Sequence, residues 1–69
     1  MSFNYSKLRG RIVEFFRTQQ AFANAMGVSE RTLSLKLRNR IAWTQADIEK
    51  AITLLKLTPE DIVEYFFKH

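Results

Sequence analysis

The sequence predicts an all-α protein, a compact single domain of five short helices over residues 1–69. Three observations carry that expectation. Apolar residues recur at three- and four-residue steps along the chain, the pattern of helices that each bury one face. A hydroxyl side chain stands just before four of those stretches, at Thr18, Ser29, Thr44 and Thr58, where its oxygen can accept from amides that a helix start leaves unpaired. The chain is 69 residues long and 46% hydrophobic, enough for one small core and too apolar for disorder.

Taken in order, Tyr5, Leu8, Ile12 and either Phe15 or Phe16 place an amphipathic helix over Asn4–Phe16, with Lys7, Arg9 and Arg11 on or near its solvated side. Thr18 caps a second helix of about two turns, whose buried face is Phe22, Ala23 and Met26. Gly27 ends it, because the residue past a helix end often needs φ > 0 and glycine takes that without steric cost. Ser29 caps the third helix, and Val28 with Leu33 forms a hydrophobic staple that fixes its departure angle.

The connection Arg38-Asn39-Arg40-Ile41-Ala42-Trp43 is rich in basic and amide side chains, with Trp43 reading as core. Thr44 then caps a fourth helix, Asp47 takes the acidic N3 position, and Trp43 and Ile48 make a second staple above Ala51, Ile52 and Leu55. Thr58, Pro59, Glu60 and Asp61 start the fifth, with Leu57 and Ile62 as a third staple. Ile62, Val63 and Phe66 suit its core face. Tyr65 and Phe67 remain as surplus aromatic surface near the C-terminus, so Tyr65, Phe66 and Phe67 mark a candidate partner or dimer interface, unless the rings fold back on the core.

Residues 18–39, with Gln19, Phe22, Ala23, Met26, Gly27, Val28, Ser29 and Leu33, resemble the helix-turn-helix of the lambda-repressor-like family, which includes Cro and CI proteins and XRE-type regulators. More loosely, NYSKLRGRIVEFF, RTQQAFANAMGVSERTLSLKLRNR and DIVEYFF resemble short Cro-like or repressor-modulator proteins of phages of Gram-positive bacteria. The resemblance implies a five-helix lambda-repressor-like DNA-binding fold in which the second helix begins with a glutamine on the DNA backbone and the third lies in the major groove. It also implies that the last helix forms a two-fold contact. A homodimer would set two third helices roughly 34 Å apart on a near-palindromic operator. Lys36 departs from the pattern, which has an apolar residue there, and Leu37 is expected to supply the packing.

At about 100° per residue, with Leu33 at the core, the outward face of the third helix is Arg31, Ser34, Leu35 and Arg38. Glu30 sits nearer the edge, at the end that enters a groove first. Expected DNA base contacts are therefore Glu30, Arg31, Ser34 and Leu35: Arg31 is suited to guanine, Glu30 to cytosine, Leu35 to a thymine methyl, and Ser34 to either. Each has a plainer rival, a dipole-favoured acid for Glu30, a solvated or phosphate-binding charge for Arg31, and a partner protein or an ordinary surface leucine for Leu35. Expected backbone contacts are Arg17, Thr18, Gln19, Arg38, Asn39 and Arg40.

Charge follows the same division. Residues 1–40 hold eight Lys/Arg against two acids, a balance of +6; residues 41–69 hold three against five, a balance of −2. The basic half contains the helix pair, as a phosphate-facing surface requires. With no cysteine, His69 as the sole histidine and only Gly10 and Gly27, the sequence offers no thiolate or histidine site and no phosphate loop, so neither an enzyme nor a cofactor or metal is expected. No apolar run is long enough to span a bilayer and MSFNYSKLRG lacks a signal-peptide core, so the expected location is the cytoplasm of a bacterial host.

Two functions fit. One is a phage Cro-like transcriptional repressor that binds double-stranded operator DNA in a lytic/lysogenic genetic switch. The other is a modulator, or antirepressor, of the same fold that binds a companion phage CI-type repressor.

Overall fold

The computed structural model describes residues 3–69, and those residues form five α-helices and one 3-10 turn, with no strand among them. Helix α1 is Ser6–Phe16, α2 Gln19–Met26, α3 Glu30–Leu37, α4 Gln45–Leu54 and α5 Ile62–Phe66, the last entered through a 3-10 turn at Pro59–Asp61.

Helix starts follow the sequence closely. The hydroxyls of Thr18, Ser29 and Thr44 accept the amides of Ala21, Thr32 and Asp47, each at 3.1 Å, and Asp47 Oδ2 accepts the Thr44 amide in return at 3.0 Å. Thr58 behaves differently from the others. Its amide and hydroxyl both donate to Asp61 Oδ2, at 3.0 and 3.1 Å, so the carboxylate does the capping and the turn tightens to 3-10 geometry. Helix α1 begins two residues later than Asn4, whose Oδ1 instead accepts the Ser6 amide at 2.9 Å.

Helix ends are less local. Gly27 has φ 79° and passes its amide to the carbonyls of Ala23 and Asn24, as expected of a glycine stop. Three other positions take left-handed backbone without glycine: Arg17 at φ 73°, Asn39 at 63° and Lys56 at 55°. Cations from distant elements supply the last carbonyls. Lys50 of α4 donates to Met26 at 3.1 Å, Arg9 of α1 to Leu37 at 3.1 Å, and Arg11 of α1 to Leu55 and Lys56 at 3.1 and 3.3 Å. Each places a positive charge at the negative end of a helix dipole.

The core is built from Leu8 and Ile12 of α1, Phe22, Ala23 and Met26 of α2, Leu33 and Leu37 of α3, Ile48 and Ala51 of α4, and Leu55 and Phe66, with Tyr5 beside them. Ala23, fully buried, leaves no side chain beyond Cβ between α2 and its neighbours. Of the two candidate phenylalanines at the end of α1, Phe16 packs on Phe22 with ring centres 5.2 Å apart, whereas Phe15 is exposed beneath the Arg11 guanidinium.

Lys36 is the unexpected occupant. It is only 6% exposed, and its ammonium donates to Asp47 Oδ2 at 2.7 Å and to the Ala42 carbonyl at 3.1 Å. Leu37 is buried beside it, as anticipated, so the charge is accommodated by a partner on α4 rather than by turning outward. Burial works against ionisation of Asp47, but the hydrogen bond from Lys36, those from Thr44 and the charge of Lys36 outweigh it and hold this carboxyl below the usual range.

Candidate functional site

Glu30, Arg31, Ser34, Leu35 and Arg38 surround one shallow groove of about 290 Å³ on α3. Ser29 and Leu33 fix this geometry, because the cap sets where α3 begins and the buried leucine sets which way it is rolled. Leu35 and Ser34 are half-buried in the groove, while Glu30, Arg31 and Arg38 are exposed around it. Arg31, Arg38 and Arg40 form no ion pair among the described residues, so their charge is available to a partner.

Glu30 is held rather than loose. Gln19 Nε2 donates to its Oε2 at 3.2 Å, and Gln19 Oε1 lies 3.5 Å from Arg9 Nη1. Through Nη2 the same guanidinium reaches the carbonyl of Leu37, the last residue of α3. Arg9 therefore links both ends of α3 to α1, a role that its place on a solvated helix face concealed. Its signal in the sequence is indirect: α3 ends without a glycine, and its final carbonyls need a donor from elsewhere.

The candidate backbone residues fall into three environments. Thr18 uses its hydroxyl to cap α2, and Arg17 is exposed at the left-handed junction before it. Arg38 and Arg40 are exposed, Arg40 beside a separate groove of about 540 Å³ lined also by Phe3, Ile41, Trp43 and Phe67. Asn39 is exposed, and its side-chain amide bonds both backbone groups of Phe3, accepting the N–H at 3.0 Å and donating to the C=O at 2.9 Å, so it also ties down the N-terminal segment.

The C-terminal interface needs correcting. Phe66 is 1% exposed and meets Trp43 edge-on at 5.0 Å, so it belongs to the core and cannot contact a partner. Val63, expected inside, is 69% exposed. Within α5, at about 100° per residue, Ile62 and Val63 lie on opposite flanks of Phe66, roughly 40° and 60° away, so seating Phe66 in the core leaves room for only one flank inside, and Val63 is on the other. Tyr65 is half-buried under the Lys7 ammonium, and Phe67 is 45% exposed, its ring edge against Phe3. The exposed apolar pair at the C-terminal end is thus Val63 on α5 and Phe67 just past it. No described helix is long and apolar enough to cross a membrane.

These features define a small all-α domain whose third helix presents a mixed, groove-bearing face. The chain belongs to the family described as protein of unknown function (DUF739), which matches residues 1–69. Among solved structures it is similar to the solution structure of the modulator of repression (MOR) of the temperate bacteriophage TP901-1 from Lactococcus lactis, at 52% identity and a TM-score of 0.85, covering 97% of this chain and 90% of that one. No curated protein matches.

Proposed function

We propose that this chain is a phage regulator of the modulator type, a lambda-repressor-like helix-turn-helix protein that acts in the host cytoplasm by binding a companion CI-type repressor rather than by reading an operator itself. The observation that carries this reading is the 52% identity, over 97% of the chain, to a protein titled a modulator of repression. The α3 groove supports it. An apolar side chain, Leu35, and a carboxylate, Glu30, in its lining suit a protein surface better than a phosphate backbone. Arg31 and Arg38 supply directional donors, and Leu35 the dewetted centre around which such contacts become strong.

Gel-shift titration of the phage operator tests the proposal, with this protein and the repressor encoded by the same phage added singly and together across a salt series. The expected result is no shift by this protein alone and an altered repressor shift when both are present. Leu35→Ala and Arg31→Ala should each weaken the effect about tenfold, a central contact being worth about 1–2 kcal/mol. A shift by this protein alone, falling steeply with salt, would instead establish direct operator binding.

A further inference from the structure

We infer that Glu30 is the residue that makes the α3 face select a protein partner over DNA; the inference rests on the modulator reading and names what enforces it. Glu30 is the first residue of α3, and its carboxylate lies on the same groove as Arg31, Ser34, Leu35 and Arg38. The two guanidiniums are exposed, and by themselves would give this face the charge that draws in a phosphate backbone.

A carboxylate on a flexible stem would swing aside as a phosphate approached. This one is restrained, because Gln19 Nε2 holds Oε2 at 3.2 Å from the neighbouring helix. Gln19 is in turn flanked by Arg9, whose other nitrogen is anchored on the Leu37 carbonyl. An anionic backbone laid along α3 therefore meets a fixed negative charge, and juxtaposed like charges suppress the wrong partner. A protein surface meets the same charge with an arginine or lysine, and turns it into an attractive contact between an apolar contact on Leu35 and acids facing Arg31 and Arg38.

The test uses the full chain with Glu30→Gln, which keeps the shape and the capacity to bond Gln19, and Glu60→Gln, which removes the same charge from a separate groove. Binding of each to a mixed-sequence 24-base-pair duplex is followed by fluorescence anisotropy at low salt, with circular dichroism to confirm the fold. Glu30→Gln should bind the duplex at least about tenfold more tightly than the unmodified protein, and Glu60→Gln less than about twofold. Equal gains in both variants, or no gain in Glu30→Gln, would overturn the inference. Because this readout contains no repressor, it separates from the gel-shift test above. If the repressor fails to respond while Glu30→Gln still gains DNA, the modulator reading falls and the exclusion of DNA by Glu30 stands.

Discussion

Replacing Asp47 by asparagine leaves Lys36 with an ammonium that is almost wholly buried and has no counter-charge, only neutral acceptors such as the Ala42 carbonyl at 3.1 Å. Replacing Lys36 by methionine does the opposite: the buried charge goes, a flexible apolar chain of similar length fills its place, and Asp47 keeps its bond from the Thr44 amide with a side chain still 21% exposed to water. The two variants break the same 2.7 Å pair, yet their costs should differ. Leaving one buried charge without its partner costs about 3–5 kcal/mol, whereas exchanging a buried ion for a well-packed apolar chain is often near neutral. A domain of this size has roughly 3–10 kcal/mol of total stability, so Asp47→Asn should remove a large share of it and lower Tm by more than about 10 °C, and Lys36→Met should stay within about 1 kcal/mol of the parent. Urea titration read by Trp43 fluorescence and by far-ultraviolet circular dichroism measures both. A loss in Lys36→Met as large as that in Asp47→Asn would refute the reasoning, because the pair would then be stabilising in itself.

Acid should act through the same carboxylate. The folded state holds Asp47 below its ordinary value of 3.8, so its contribution is complete above that pH and is lost as pH falls through the folded value; Asp47→Asn should show a flatter stability profile below about pH 4 in urea titrations. Gly27→Ala meets only Lys50 Nζ at 3.8 Å, so its cost is conformational and should be about 1–2 kcal/mol by the same assay, with α4 undisturbed in amide spectra. Arg11→Ala removes the donor to two carbonyls at the end of α4 and should cost about 1–2 kcal/mol, with hydrogen exchange accelerated at the end of α4 rather than its start.

Features encoded by near neighbours in the chain were legible in the sequence. Thr18, Ser29 and Thr44 act within three residues of themselves, and a 3.6-residue period is enough to find Leu8, Ile12, Phe22 and Leu33 inside. The site face was legible for the same reason: once Leu33 is fixed inward, the spacing alone brings Arg31, Ser34, Leu35 and Arg38 to one side. What escaped depends on distant parts of the chain. Asn39 reads as a loop amide until Phe3 arrives from thirty-six residues away, and Lys36 reads as a defect in an apolar pattern until α4 brings Asp47 against it. Val63 was misplaced, while Phe66 beside it was rightly read as core, because a helix of five residues is too short for its period to decide which flank of Phe66 faces solvent.

The charge count needs the same correction, and it bears on function. Of the eight cations in residues 1–40, Arg9 and Arg11 are engaged on helix carbonyls, Lys36 on Asp47, and Lys7 lies 3.9 Å from Glu64. That leaves Arg17, Arg31, Arg38 and Arg40 exposed and without an ion pair or side-chain hydrogen bond among the described residues, half of what the sequence offers, with the Glu30 carboxylate also exposed on the α3 groove. Each phosphate neutralised contributes about 0.9 to the slope of log K against log salt, so these four arginines would contribute a slope of about −4. On the proposed reading, a surface that hydrogen-bonds Arg9, Arg11 and Lys36 within the fold, and carries a carboxylate at the leading end of α3, favours a protein partner over a duplex. It remains well supplied with guanidiniums for pairing with carboxylates on another protein.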